Sequence, residues 1–287
     1  MLRPRILAPP APEKSKARAR VPQGAGVDCE GRARCDGVIK IVAVIVCAHD
    51  VGRKLPHPSF NQNPHLWKHG IMGIIRASAF SVSIDGFAAG LHQTIDNPFG
   101  ERGMALPDWM LKTRMFHTMT GRNGGSTGVD DGFAERSMEN IGAWIMGRNM
   151  FGPMRGPWPD ESWKGWWGPN PPYHTPVYVL THHARASIET EGGTVFQFVT
   201  DGIEPALKQA RAAAKDRDIR VGGGASVVRQ FLQAGLLDEM HLALPAVLLG
   251  AGESLFAGLD LPALGYAPVD RLTGENATHV KIGRKSA

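Results

Sequence analysis

The residues in this sequence best placed to do chemistry are three consecutive glycines, Gly222, Gly223 and Gly224, between a β-branched run and an amphipathic run. Glycine tolerates positive φ and lets another molecule lie directly against the backbone. A helix that begins after the glycines directs free N–H groups and the positive end of its dipole towards the same point. An anionic ligand is therefore the predicted occupant, and a tight strand-to-helix turn without a ligand is the alternative.

Two common phosphate-binding motifs do not match the glycine triplet. A Walker A loop requires Gly-Lys-Ser/Thr, whereas the first basic residue after the glycines is Arg229. The dinucleotide fingerprint requires a third glycine where Val227 stands, and its acidic residue closes a strand, whereas Asp238 and Glu239 open one. The triplet thus predicts an anion site of another kind.

The elements that would position this turn alternate along the chain. Residues 219–221 form a short β-branched run before the glycines, and residues 225–235 carry apolar side chains at helical spacing. Alternating or buried apolar runs predict further strands at 74–84, 143–146, 177–180, 195–199, 239–244, 266–272 and 279–282. Helical spacing predicts helices at 106–119, 130–141 and 203–215. This order predicts a three-layer α/β fold with a mostly parallel central sheet, helices on both faces and an antiparallel C-terminal edge.

The net charge of +5 is unevenly distributed and gives no support for nucleic-acid binding by the folded part. Residues 1–73 contain 12 Lys and Arg against 5 Asp and Glu, and the remainder contains 20 against 22. The longest apolar run, 38–48, includes Lys40 and is shorter than the ~18 residues that a membrane helix needs. We therefore expect neither a nucleic acid nor a membrane as a partner.

Residues 1–71 differ in composition from the rest of the chain. They carry eight of the 21 prolines and little periodicity, so we expect either a disordered leader or a misassigned start codon, with Met72 as the true start. Residues 72–287 would then form one folded domain. All three cysteines, Cys29, Cys35 and Cys47, lie in the first segment. Their odd number and irregular spacing predict a reducing, cytoplasmic location and no structural metal.

Five segments that occur in a characteristic order resemble a known family. They are Ser83–Gly86, Met146–Arg148, Tyr178–Thr181, Val221–Ala225 and Leu248–Glu253. Together they resemble the reductase domain of the bifunctional riboflavin-biosynthesis deaminase-reductase, a relative of dihydrofolate reductase. The resemblance covers about residues 74–284 and implies the dihydrofolate reductase-like fold. It also implies an NADPH-dependent reductase, without a metal, that transfers hydride to a small planar C=N or C=O substrate of the pyrimidine or pteridine type.

The resemblance also implies roles for individual residues. Arg148 would lie beside the phosphate on the adenosine ribose of NADPH, where a planar guanidinium suits a phosphate dianion, and Thr181 would meet the adenosine half. The implied cofactor-binding residues are Gly147, Arg148, Asn149, Thr181, Val221, Gly222, Gly223, Gly224, Ala225 and Ser226. Asp85, in the turn after the first strand, and Asp108, at the start of the first helix, are the candidate proton sources or substrate anchors.

Two departures from the family pattern leave a second function open. The zinc signature of the deaminase domain is absent from the sequence, and Val221 stands where the riboflavin reductases usually carry Glu. The alternative is a non-catalytic nucleotide-binding or regulatory protein that retains the fold. Four tryptophans in residues 157–167 predict a loop folded over the domain, as a lid, a flap or a contact in a homodimer.

Overall fold

A nine-stranded mixed sheet organises the part of the chain that the structure, a computed structural model, describes, namely residues 73–152 and 155–284. The strands are β1 (Ile75–Ser81), β2 (Ile141–Gly147), β3 (Pro176–Leu180), β4 (Ile188–Glu189), β5 (Val195–Val199), β6 (Asp218–Val221), β7 (Glu239–Pro245), β8 (Tyr266–Thr273) and β9 (Ala277–Arg284). The predictions for residues 1–71 and for the three cysteines lie outside the described residues.

The strand order across the sheet is β4-β5-β3-β2-β6-β1-β7-β9-β8. The six strands from β5 to β7 in this order are parallel to their neighbours. The last two strands, β9 and β8, pair antiparallel beside β7, which confirms the predicted C-terminal edge. A second antiparallel edge, the two-residue β4 beside β5, was not predicted because so short a strand has no detectable alternation.

Helices cover both faces of the sheet and complete the three predicted layers. They are α1 (Asp108–Leu111), α2 (Arg114–Met119), α3 (Val129–Arg136), α4 (Arg148–Phe151), α5 (Ile203–Ala214) and α6 (Ala225–Gln233). Alternation along β2 explains the two-sided core. Ala143 and Ile145 belong to the apolar cluster that contains α5 and α6, whereas Trp144 and Met146 belong to a cluster on the opposite face.

Helix α6 is held by the apolar stripe that its sequence predicts. Val228, Phe231 and Leu232 are fully buried in the core cluster. Burial of each such side chain contributes about 1.5–3 kcal/mol, so this face fixes the position of the helix start after the glycines.

Two predicted helices have different limits in the structure. The prediction of one helix over 106–119 is wrong, because Thr113 adopts extended backbone and its hydroxyl accepts a hydrogen bond from the Phe116 N–H, which starts a separate helix. The predicted helix 130–141 ends at Arg136, since Asn140 has a φ of 58° and Ile141 begins β2.

Candidate active site

A cavity of about 390 Å³ lies at the carboxyl ends of the parallel strands. Its lining includes residues that end or follow five neighbouring strands, β5, β3, β2, β6 and β1: Thr200, Thr181, Arg148, Gly222 and Ser81. Ligands of open α/β sheets bind at this edge, where the loops between strands and helices leave a crevice. The position of the cavity therefore agrees with a ligand site.

The glycine turn is fastened to the end of β2 by two backbone hydrogen bonds. The Gly222 N–H donates to the Ile145 carbonyl at 2.8 Å, and the Gly147 N–H donates to the Gly223 carbonyl at 2.7 Å. A Cβ atom on Gly147 would lie 3.0 Å from Cγ2 of Val227. Glycine at position 147 therefore lets the end of β2 approach the turn and the start of α6 without crowding Val227.

The three glycines of the turn have different surroundings. Gly223 has a φ of +104°, is joined to Gly224 by a cis peptide bond, and would direct a Cβ atom to within 2.8 Å of Cε2 of Phe80. Gly224 has negative φ, lines the cavity, and would direct a Cβ atom into open space. Close approach of a ligand is therefore available at Gly224 and not at Gly223, which is absent from the lining.

The start of α6 forms one wall of the cavity. Ala225 and Ser226 open the helix and line the cavity, and Ser226 is exposed. The first N–H groups of a helix lack partners within the helix and carry partial positive charge. Val221, which the resemblance includes among the cofactor residues, is instead fully buried in the core cluster and does not line the cavity.

Arg148 forms a second, cationic wall. Its Nη1 donates to the Gly156 carbonyl, and its guanidinium carbon lies 3.7 Å from the centroid of the Trp158 ring. Nε and Nη2 are shielded from water and have no hydrogen-bond partner among residues 73–152 and 155–284. Burial, followed by the nearby charges of Arg185 and Arg155, lowers the pKa of Arg148. These unpartnered donors and their crowded positive charge favour an anion.

The remaining predicted cofactor residues lie on the same rim. Asn149 follows Arg148 in α4 and lines the cavity. Thr181 also lines it, and its backbone N–H donates to the Val199 carbonyl at 3.0 Å, which holds the ends of β3 and β5 together. The cavity lining therefore includes eight of the ten predicted cofactor residues, all except Val221 and Gly223.

Asp85 joins two loops instead of lining the cavity. Its carboxylate accepts hydrogen bonds from the Ser83 hydroxyl at 2.5 Å and from the Leu249 and Gly250 N–H groups at 3.1 and 2.6 Å. The Ser83 hydroxyl and, to a smaller extent, these backbone groups lower the pKa of Asp85. The geometry favours a structural role, since a carboxyl group with a lowered pKa is a poor proton donor at neutral pH.

Asp108 also lies outside the cavity. It is exposed in the first turn of α1, where a carboxylate is favourable next to the helix dipole. Its helix neighbours Trp109 and Met110 are buried, so the helix presents its apolar side to the domain and Asp108 to solvent. A catalytic role for either aspartate stays a prediction.

The comparison with known families decides what kind of domain this is. The sequence model of the RibD C-terminal domain family matches residues 77–283. The chain belongs to the RibD C-terminal domain family. No curated protein matches the sequence. Membership makes the chain a reductase of the riboflavin-biosynthesis type and confirms the resemblance drawn from the five segments.

Solved structures with a similar fold include members of the RibD and dihydrofolate reductase groups. A protein of Shewanella sp. PV-4 assigned to riboflavin biosynthesis has 20% identity and a TM-score of 0.44, with coverage of 75% of this chain and 99% of that one. Dihydrofolate reductase of Enterococcus faecalis, complexed with NADP(H), has 14% identity, a TM-score of 0.43 and the same coverage of both chains. The deaminase/5-amino-6-(5-phosphoribosylamino)uracil reductase of Thermotoga maritima has 12% identity and a TM-score of 0.42, and this chain covers 57% of it.

Several residues that line the cavity of this RibD C-terminal domain were not predicted as site residues. Phe80 and Ser81 end β1, Arg155 follows α4, and Glu253 belongs to the segment 248–253, which supported the resemblance without a role. The rule that carboxyl ends of parallel strands converge could have found Phe80 and Ser81, because β1 was predicted as a strand. Nothing in the sequence pairs Glu253 with the end of β1, since that contact is made between two loops.

The described residues contain neither a cluster suited to a metal ion nor a helix suited to a membrane. No group of three or more His, Cys, Asp or Glu side chains between residues 73 and 284, apart from 153–154, is arranged to hold a metal ion. No helix in the same part of the chain is long and apolar enough to cross a membrane.

Proposed function

We propose that this RibD C-terminal domain is an NADPH-dependent reductase that acts on a small planar C=N or C=O substrate of the pyrimidine or pteridine type. The observation that supports it is the pairing of two anion-favouring walls in one cavity. One wall is the start of α6 with Gly224, and the other is the guanidinium of Arg148 with its unpartnered donors.

The residues present fit a dinucleotide carrying an additional phosphate. Gly224, Ala225 and Ser226 would hold the pyrophosphate, because they combine an open backbone with the helix dipole. Arg148 and Arg155 would hold the phosphate on the adenosine ribose, because both line the cavity and a guanidinium can form paired hydrogen bonds to a phosphate. When bound, NADPH supplies the hydride.

The chain itself positions the substrate and excludes water from it. Phe80, Ala89 and Phe99 are buried apolar residues that line the cavity and would give a planar ring apolar surroundings. Ser81 lines the cavity, and its hydroxyl accepts a hydrogen bond from Nε1 of Trp109 at 2.9 Å. Because that bond uses the oxygen as acceptor, the hydroxyl proton is available for donation to a substrate.

Substitution of Ser226 by Asp separates binding from folding. A carboxylate in the first turn of α6 is expected to stabilise the helix by about 0.3–1 kcal/mol, yet it would repel a pyrophosphate at the same point. We therefore expect Ser226→Asp to keep or raise the melting temperature and to lose most of the stabilisation that NADPH gives the parent. The matched control is Ser226→Asn, which has a side chain of the same size without the charge and should keep that stabilisation.

The outcomes distinguish the proposed function from its alternative. If NADPH stabilises Ser226→Asp as much as the parent protein, the start of α6 does not bind the pyrophosphate. NADPH binding without oxidation across a panel of aminopyrimidines, pterins and simple carbonyl compounds would support a non-catalytic nucleotide-binding protein.

A further inference from the structure

The Trp158 side chain is held by three contacts beside the Arg148 wall. Its Nε1 donates to the His183 carbonyl at 2.9 Å, which ties residue 158 to the loop after β3. Its ring meets the rings of Phe151 and Phe198 edge to face, with centroids 6.0 and 5.4 Å away. Aromatic pairs in this arrangement are favourable. The position of the Trp158 ring is therefore determined by β3, α4 and β5, and not by its own loop alone.

Arg148 is anchored to this ring and to the backbone next to it. Its guanidinium carbon lies 3.7 Å from the centroid of the Trp158 ring, well inside the distance of about 6 Å at which a cation is attracted to the face of an aromatic ring. Its Nη1 donates to the Gly156 carbonyl, so both anchors lie in residues 156–158. Arg148 lines the cavity, whereas Trp158 does not. An effect of Trp158 on a ligand in the cavity would therefore pass through Arg148.

Neighbouring cations oppose the position that Arg148 adopts. Burial, followed by the charges of Arg185 and Arg155, lowers the pKa of Arg148, so these two cations repel its charged form. The guanidinium carbon of Arg185 lies 4.8 Å from the centroid of the same Trp158 ring, and its Nη2 donates to the Trp163 carbonyl at 2.7 Å. Ordering a long arginine side chain also costs conformational entropy. The Trp158 ring offsets both effects, because it attracts the guanidinium and is itself fixed.

We infer, on the basis of the proposed function, that Trp158 is a positioning residue for the discrimination between NADPH and NADH. It holds the Arg148 guanidinium where the phosphate on the adenosine ribose would bind, so that little ordering is left to occur on binding. NADH lacks that phosphate and gains nothing from an ordered Arg148. Trp158 thereby raises the affinity for NADPH selectively, without touching the cofactor.

Substitution of Trp158 by Leu tests this inference in the full chain. Trp158→Leu keeps an apolar side chain and removes the aromatic face, so it should lower the ratio of NADPH affinity to NADH affinity by at least about threefold and leave the NADH affinity unchanged. Trp158→Phe restores an aromatic face and should keep part of the preference. Isothermal titration calorimetry with each cofactor measures both affinities, and denaturant unfolding shows that each variant is folded.

A double variant and a matched control show whether the effect passes through Arg148. In Arg148→Ala the guanidinium is already absent, so the addition of Trp158→Leu should leave the affinity ratio as in Arg148→Ala alone. Trp163 provides the control, since its Nε1 also donates to a backbone carbonyl, that of Phe151 at 2.9 Å, and its ring packs on Trp166. Trp163→Leu should lower the free energy of unfolding and keep the ratio of the parent.

The inference is overturned if Trp158→Leu lowers both affinities equally, which is the result expected of a ring that stacks on the adenine, or if it changes neither affinity. It is also overturned if Trp163→Leu lowers the ratio as much, or if the double variant loses more of the preference than Arg148→Ala does. Failure of the proposed function has a different signature, namely a parent protein that does not bind NADPH, and that result would overturn both.

Discussion

Arg148 illustrates how a single residue can be prepared for a ligand. Its guanidinium carbon lies 3.7 Å from the centroid of the Trp158 ring, and among the described residues only Nη1 has a hydrogen-bond acceptor, the Gly156 carbonyl. Buried donors without partners cost about 1–3 kcal/mol, more when charged, so an anion that accepted hydrogen bonds from these donors would relieve that cost. A residue in such a state is expected to contribute more to ligand affinity than to stability.

Removal of the Arg148 guanidinium should abolish most of the preference for NADPH over NADH. A charged hydrogen bond contributes about 1.5–3 kcal/mol, so Arg148→Ala should reduce the ratio of the two affinities by roughly ten- to hundredfold. Arg148→Lys keeps the charge without the paired donors and should retain part of the preference. Titration of both cofactors into each protein measures the ratio, and equal affinities in the parent protein would contradict the role of Arg148.

The glycine turn shows at the level of an element what a sequence can and cannot specify. Three identical residues predict a turn with an open backbone, and the chain indeed turns there between β6 and α6. The sequence does not show which of the three glycines faces open space and which is packed. That difference depends on Phe80 at the end of β1, which is far away in the chain. The structure assigns positive φ and a packed neighbour to Gly223, and open space to Gly224.

Alanine at these two adjacent positions should therefore have opposite effects. Gly223→Ala combines unfavourable positive φ with contact to Phe80, so it should lower the free energy of unfolding by roughly 1–3 kcal/mol. Gly224→Ala adds a methyl group to the cavity wall and should weaken NADPH binding with a smaller loss of stability. Denaturant unfolding and NADPH titration of both variants give the comparison, and a Gly224→Ala protein with parental NADPH affinity would place the pyrophosphate elsewhere.

Most elements were predictable because their signal is local. The strand β2 is a continuous apolar run and is buried throughout, and the helix α6 has apolar residues at helical spacing that form its buried face. The break at Thr113 was missed because the apolar spacing continues through it, while the decisive hydrogen bond uses a side chain. The site followed the same division. The cavity-lining residues after β2 and β6 were among those predicted from the sequence. Glu253 was not, because it reaches the cavity through contacts between loops.

At the scale of the whole molecule, a buried hydrogen-bonded relay connects distant elements. The Ala79 N–H donates to Nδ1 of His241 at 3.1 Å, Nε2 of His241 lies 3.0 Å from Nδ1 of His279, and Nε2 of His279 lies 2.8 Å from Oδ1 of Asp130. Since Nδ1 of His241 is an acceptor, its Nε2 carries the proton, and each following bond is directed towards Asp130. The relay joins β1, β7, β9 and α3.

This relay also supports the cavity. Ala79 has a φ of 53°, and the register of β1 with β7 shifts between Ala77 and Phe80. At this bulge, the Ala79 N–H donates its hydrogen bond to Nδ1 of His241. Phe80 and Ser81 follow the bulge and line the cavity, so the relay helps to hold the backbone that carries these two residues.

Stability should fall as the pH decreases below 6.5. Burial, then His279, and then the cations Arg136, Lys281 and Arg220 lower the pKa of His241 well below its ordinary value of 6.5. The unfolded chain therefore binds a proton at this residue that the folded chain does not, so unfolding becomes easier at lower pH, by up to about 1.4 kcal/mol per pH unit. Denaturant unfolding at a series of pH values, from neutral pH to about one to two units below 6.5, measures this slope of the free energy of unfolding against pH.

Two variants show whether His241 is the source of that slope. His241→Asn keeps an acceptor for the Ala79 N–H and removes the titrating ring, so the slope below pH 6.5 should decrease. His92→Asn changes a histidine that is 76% exposed and should leave the slope as in the parent. An unchanged slope in His241→Asn would assign the pH dependence to other groups.

The position of β1 in the middle of the sheet determines the order in which the domain can be completed during synthesis. At the start of β1, the Ile74 N–H donates to Asp218, 144 residues later in the chain, and the Ile75 N–H donates to Asp238, 163 residues later. β1 therefore has no partner strand on either side until residues 218–245 have left the ribosome. Contacts so distant in sequence require closure of a long loop before any stabilisation is gained, which slows folding. The cavity, whose walls include the ends of β1, β2 and β6, is consequently expected to be one of the last features of the domain to form.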